Sequence, residues 1–365
     1  MKRFSCRNCG NEVYFDSTRC VNCGNALGFN ASRGVMLSTP QGRPWSVDRT
    51  TYHLCANAEP VACNWLVREG SGDALCRACA HNRTIPDLSD PEAISLWREL
   101  ELAKRYLFYS IIRWNLPQPT MAEDPDHGLA FDFLADQQNA DGTVTPVLTG
   151  HADGLITINI AEGDDAERER RRTDMGEPYR TLVGHMRHEV GHYYWDRLVR
   201  DAGKLDAYRA VFGDEREDYN EALKRHYEQG PPADWANSFI STYATAHPWE
   251  DWAETFAHYI HIVDALETAA AFGIRTTDLG QEKQTTHAVD FDPYTQGTIG
   301  HLLKAWVPVT VAMNAINRSM GQPDLYPFVL STPVEQKLGF VHRLIRAHAQ
   351  EATPAHKRRW WRLGR

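Results

Sequence analysis

From residue 91 onward the chain is organised by the spacing of its apolar positions. Residues 91–115 carry Leu, Trp, Tyr, Phe and Ile around most of a helical circumference, which predicts a largely buried helix. Leu116-Pro117-Gln118-Pro119 ends it, because proline cannot continue a helix. Residues 131–138 read as a short helix or strand. Alternating, partly β-branched positions predict strands over 143–148 and 155–160. The charged run that follows (Glu162, Asp164, Asp165 and residues 167–172) reads as a solvated loop. A long helix is predicted over 177–200, with Pro178 suited to its first turn. Further helices are expected over 214–228, 249–271, 301–319 and 333–347. No stretch offers the ~18 apolar residues of a bilayer span, since the longest, 305–313, contains Pro308.

The first 90 residues follow another pattern. All eight cysteines lie at or before Cys79, and Pro and Asp punctuate residues 84–91. The expected division is a cysteine-rich domain over 1–86, a larger domain over 87–347, and a short basic tail over 348–365 that holds Trp360 and Trp361 and is expected to be solvated. The N-terminus has basic residues but no apolar stretch, so it does not read as a secretory signal. A cytoplasmic protein with reduced thiols is expected, and its cysteines then call for a metal.

Cys6-x2-Cys9 and Cys20-x2-Cys23 each form a turn that presents two thiolates, and each is followed by a glycine, Gly10 or Gly24. This spacing predicts a structural zinc. The second quartet, Cys55, Cys63, Cys76 and Cys79, has one such turn and one looser pair. An all-cysteine zinc site is expected there too, with His53 or His81 as substitute ligands. Two zinc ions also supply what some 85 residues with few large aliphatics lack in core. The net charge of the chain is −9. Residues 1–90 hold ten Lys and Arg against eight Asp and Glu, and eight thiolates on two zinc ions turn that slight excess negative. Nucleic acid is therefore not an expected partner. A protein partner suits the cysteine-rich domain better, and no membrane partner is expected.

Residues 188–192 read His-Glu-Val-Gly-His. On a helix the two histidines stand about 40° apart and face one ion, with Glu189 one step round to act as general base. Gly191 inside a helix costs ~1 kcal/mol against alanine, which suggests a close approach of another element. The histidine-rich extension of metzincins is absent, because Trp195 and Leu198 stand where glycine and histidine should be. A third ligand is expected from the helix opened by Pro248, where Glu250 and Glu254 share a face. One carboxylate can bind the metal, and the other can accept the N–H of a ligand imidazole. Asp251 is expected to cap the helix or face solvent. His258 and His261 are expected to pack or line a rim.

This pattern resembles that of the gluzincins, in which a helix with ExxxD/E follows HExxH. The resemblance implies Glu250 as zinc ligand and Glu254 as its supporting partner, with the swapped assignment as the alternative. Tyr243, seven residues before Glu250, is placed as in the anthrax lethal factor type of gluzincin, where a tyrosine stabilises the oxyanion. His247 and Tyr259 are rivals for that role. Across both domains the chain resembles a bacterial family of zinc-binding metallopeptidases with an N-terminal zinc ribbon. The resemblance is carried by Cys63-Asn64-Trp65-Leu66-Val67, by Cys76-Arg77-Ala78-Cys79 through Leu88, by Tyr179 through Trp195, and by Trp249 through Phe256.

The expected architecture is α+β: a double zinc-ribbon (rubredoxin-like) domain, then a mainly helical zincin-like domain with a small sheet. The expected function is zinc-dependent hydrolysis of a peptide or amide bond in a peptide or protein substrate. Zinc on His188, His192 and Glu250 would activate water for Glu189. Residues 155–160 would be the edge strand that pairs with the substrate. Three zinc ions are expected, one catalytic and two structural. The alternative is an adaptor that binds a protein partner without turnover.

Overall fold

The computed structural model describes residues 1–174, 181–277 and 286–351. The first residues of the helix predicted over 177–200, Pro178 among them, lie outside the described residues, as does the tail from residue 352 with Trp360 and Trp361.

The cysteine-rich region is built from short antiparallel pieces. β1 (Phe4–Ser5) pairs with β2 (Glu12–Val13), and β3 (Ala26–Asn30) with β4 (Val35–Thr39). β5 (Trp45–Val47), β6 (Thr50–Leu54) and β7 (Leu66–Arg68) form a meander. Trp45, Tyr52 and Leu66 of the meander pack on Leu37 of β4, while Phe15, Phe29 and Trp65 form a separate cluster that continues onto the next helix. The Phe15 ring lies 5.1 Å from that of Tyr106 and 5.7 Å from that of Tyr109. The cysteine-rich region and the helical domain thus share one apolar core.

β8 (Asn82–Thr84) leaves the ribbon and joins the sheet of the larger domain. α1 (Pro91–Trp114) follows, capped by Asp90, whose Oδ1 accepts from Glu92 N at 2.9 Å. It buries Trp97, Leu100, Leu107, Phe108, Ile111 and Trp114. The ambiguous segment after it is a strand, β9 (Ala130–Leu134). Only Val144–Thr145 of the strand predicted over 143–148 forms, as β11, paired with β10 (Gln137–Gln138). β12 (Gly150–Ala152) and β13 (Leu155–Asn159) complete a sheet of order β12-β13-β9-β8. β13 is therefore interior, bonded on both sides, and the edge near the site is β12, which corrects the sequence expectation.

The charged run is not a loop either. Its second half is α2 (Asp165–Asp174), while Glu162 just before it is buried. α3 (Leu182–Trp195) starts at the Thr181 cap and runs on through a π turn over Asp196–Arg200. α4 (Leu205–Phe212) was not predicted. α5 (Tyr219–Gln229) begins later than expected because Asp218 caps it, its Oδ1 accepting from Glu221 N at 2.9 Å. α6 (Pro248–Phe272) lies against α3. β14 (Arg275–Thr277) pairs with β15 (Thr286–Ala288). α7 (Ile299–Ser319) continues through Pro308, and α8 (Thr332–Glu351) takes in the first residues assigned to the tail. By length and composition α7 alone among the described residues could cross a bilayer, and it packs on α6 and α8.

α3 and α6 meet at Gly191. A Cβ there would stand 3.1 Å from Ala253 Cα and 3.3 Å from Ala253 O, so only glycine lets the backbones approach this closely. Trp252 Nε1 donates to Gly191 O at 2.8 Å and locks the crossing. That crossing brings the His188–His192 face against the first two turns of α6.

Candidate metal centre

The first cysteine quartet forms two matching turns. Gly10 N donates to Cys6 O at 2.8 Å and Gly24 N to Cys20 O at 2.9 Å, and both glycines have φ of +73°, where a side chain would strain. Cys6 Sγ lies 3.6 Å from Cys23 Sγ, and Cys9 Sγ 3.6 Å from Cys20 Sγ. In the second quartet Cys63 Sγ is 3.7 Å from Cys76 Sγ and 3.8 Å from Cys79 Sγ. Four thiolates on one tetrahedral zinc, each bond ~2.3 Å, stand about 3.8 Å apart, whereas a disulfide needs about 2.05 Å. Both quartets fit zinc. The histidine substitutes are otherwise engaged. His81 faces Arg77 O at 2.8 Å and Gln118 O at 3.1 Å, and His53 Nδ1 is 2.9 Å from Leu54 O.

The third cluster is His188, His192 and Glu250, all buried. His188 Nε2 is 3.2 Å from His192 Nε2 and 3.0 Å from Glu250 Oε2, which is itself 3.6 Å from His192 Nε2. Ligands on ~2.0–2.1 Å bonds to a tetrahedral ion stand about 3.3 Å apart, so this spacing fits a metal. The hydrogen bonding points the same way. His188 Nδ1 lies 2.7 Å from Glu254 Oε1, which leaves a lone pair on Nε2. That lone pair faces Glu250 Oε2, a buried oxygen with no hydrogen-bond donor among the described residues. Two acceptors at 3.0 Å need positive charge between them, supplied either by a second proton on His188 or by a metal ion. Burial disfavours charge on His188, yet Glu250 and Glu254 drive its proton affinity well above the ordinary imidazole range. The pocket attracts positive charge.

Two of the three candidate ligands, His188 and Glu250, are held from behind, whereas His192 Nδ1 is buried with no hydrogen-bond partner among the described residues. Ser241 Oγ donates to Glu254 Oε2 at 2.6 Å, steadying the carboxylate that orients His188. Tyr219 OH donates to Glu250 Oε1 at 2.7 Å and leaves Oε2 facing the two histidines. α6 starts where it does because Pro248 occupies its first position and His247 Nδ1 accepts from Trp249 N at 3.1 Å.

The site opens into a cavity of about 450 Å³ lined by His188, Glu189, Glu254, Tyr219 and Tyr243 among others. Its lining begins at Val147, so no described residue of the cysteine-rich region reaches it. Burial opposes ionisation of Glu189, but His185, His188 and His192 hold its carboxyl below the usual range. It is a carboxylate at neutral pH. Tyr243 lies with its ring 5.8 Å from that of His188. Burial and the Glu250 charge push its hydroxyl well above the ordinary phenol value, so it stays a donor.

Several sequence expectations fall elsewhere. His247 is spent as the α6 cap, and its Nε2 donates to Glu217 O at 3.1 Å. Tyr259 is bound to His342 Nδ1 at 3.0 Å in the core, so neither rivals Tyr243. Asp251 does not face solvent: it is fully buried against Lys337 Nζ at 2.6 Å. His258 and His261 do pack and line the cavity as expected, His258 bound to Tyr326 OH at 2.7 Å and His261 meeting Arg187. Phe328 also lines the cavity. Sequence reasoning missed Tyr219, Ser241, His185 and the buried role of Glu162. Only His185, four residues before Glu189 and hence on its helical face, carried a readable signal.

Comparison with known proteins agrees with this arrangement. Residues 93–344 match the family described as "Putative zinc-binding metallo-peptidase", and residues 3–90 match a zinc-ribbon domain. The uncharacterized proteins Mb2598c of Mycobacterium bovis and Rv2568c of Mycobacterium tuberculosis are each 42% identical over 360 residues. The match covers 98% of this chain and 99% of theirs. No solved structure matches significantly. With zinc-fitting cysteine quartets ahead of a buried His-His-Glu cluster, the chain belongs to this family of zinc-binding metallopeptidases and carries a zinc ribbon at its N-terminal end.

Proposed function

We propose that the protein is a gluzincin-type hydrolase that cleaves a peptide or amide bond, with zinc on His188, His192 and Glu250 and structural zinc in each cysteine quartet. The observation that carries this reading is the convergence of three metal-fitting ligand atoms at the wall of a cavity that His188 and Glu189 both line. Zinc, when bound, supplies a Lewis acid that acidifies water and polarises a carbonyl. Glu189 then takes the proton of the attacking water and delivers it to the leaving amine. Tyr243 OH, kept protonated on a ring 5.8 Å from that of His188, is the donor for the developing oxyanion. An extended substrate would pair with the free edge of β12, whose His151 stacks 6.1 Å from His192.

The test combines zinc counting by mass spectrometry with hydrolysis of a broad peptide library. Three zinc ions per chain, falling to two in His188→Ala/His192→Ala, are expected. Glu189→Gln should keep three and lose about 10²–10⁴-fold in turnover. Unchanged turnover in Glu189→Gln would refute the mechanism. Full zinc with no hydrolysis of any peptide would favour an adaptor.

A further inference from the structure

We propose that His185 is a positioning residue for Glu189, anchored from outside by Glu162 and Thr149; this rests on the peptidase reading above. His185 Nδ1 lies 2.6 Å from Glu162 Oε2, and His185 Nε2 lies 3.0 Å from Glu189 Oε1. Glu162 Oε1 accepts from Thr149 Oγ1 at 2.6 Å. Thr149 Oγ1 in turn accepts from Asn159 N at 3.1 Å, which ties the chain of contacts to the end of β13. Glu162 is 1% exposed, although it opens a strongly charged segment. Burying a carboxylate costs several kcal/mol unless it is fully bonded. Glu162 meets that demand with Thr149 on one oxygen and His185 on the other.

The arrangement addresses a specific need. A general base must aim one carboxylate oxygen at the reacting water, and a free carboxylate rotates about its last bond. Its geometry is productive only when supporting groups lock it. With both ring nitrogens protonated, His185 donates to Glu162 and to Oε1 of Glu189, and so restricts that rotation. Helix geometry puts the two residues on one face, four positions apart, and Glu162 stops the imidazole from turning away. Thr149 also lines the cavity immediately before β12. The segment expected to meet substrate is therefore linked to the base through three side chains.

The test uses acetohydroxamic acid on the zinc-loaded protein, read by calorimetry. A carboxylate beside the metal strengthens binding of this chelator by taking its hydroxyl proton and holding it in a hydrogen bond, so it reports the aim of Glu189 without turnover. The variants are His185→Gln and His185→Asn. From Cβ, glutamine reaches where Nε2 stands and can donate to Glu189, whereas asparagine reaches only towards Glu162. We expect His185→Asn to bind about tenfold or more weakly with zinc content unchanged, as for loss of a hydrogen bond to a charged group, and His185→Gln to stay near wild type. Equal affinities for the two variants, whether both intact or both weakened, would overturn the proposal, as would loss of zinc from His185→Asn. The expected split without hydrolysis of any peptide by the wild type would refute the peptidase reading and leave the positioning role standing.

Discussion

Replacing Lys337 by methionine isolates a buried charge pair that ties α8 to the first turn of α6, next to Glu250. Lys337 Nζ lies 2.6 Å from Asp251 Oδ2 and donates to Ser238 O at 2.7 Å. Methionine retains most of the apolar stem and removes the ammonium. Burial raises the Asp251 carboxyl to about 7 even with Lys337 pulling it down. Without Lys337 it must rise further. An acid raised in the folded state gives stability that is full below its unfolded value and is lost as pH rises through its folded value. Below about 7 Asp251 is protonated in both proteins, so the gap between them opens only above that pH. Each further pH unit then costs the variant about 1.4 kcal/mol, or about 2 kcal/mol at pH ~8.5. The lost hydrogen bond to Ser238 adds ~1 kcal/mol. The total, about 3 kcal/mol, matches the low end for breaking a buried pair. Urea unfolding with excess zinc, at about pH 6 and about pH 8.5, measures both limits. Asp251→Asn/Lys337→Met should lose the pH dependence. A deficit equal at both pH values, or below ~1 kcal/mol at the higher one, would refute the reasoning.

Two further outcomes follow from the site. Gly191→Ala gains ~1 kcal/mol of helix propensity but forces a Cβ to 3.1 Å from Ala253 Cα, and overpacking costs about 1–3 kcal/mol. Thermal unfolding should show a net loss of up to about 2 kcal/mol, and a clearly stabilised variant would contradict the close α3–α6 crossing. Tyr219→Phe removes the donor to Glu250 Oε1 and should weaken zinc at the histidine site about tenfold or more, leaving the cysteine sites full. Competition with a chelator measures it, and unchanged affinity would show that Glu250 needs no such support.

The sequence alone revealed what local geometry decides. Cys-x2-Cys followed by glycine closes a turn within five residues, and His188, His192 and Glu189 acquire their relation from one helical turn. The pair Glu250 and Glu254 was legible for the same reason, although their separate roles came from a family resemblance. What remained hidden depends on partners far along the chain. Glu162 read as solvated because its partners, Thr149 and His185, are 13 and 23 residues away. Asp251 read as a cap because Lys337 stands on another helix. β13 read as an edge because nothing local reports that β12 folds back antiparallel on one side of it while β9 pairs parallel on the other. The spacing of His188 and His192, and of each Cys-x2-Cys pair, is local, and the sequence carries it outright, whereas bringing Glu250 to the two histidines takes the fold. The burial, support and substrate edge of those ligands are properties of packing, which the fold alone decides when α3 crosses α6 at Gly191.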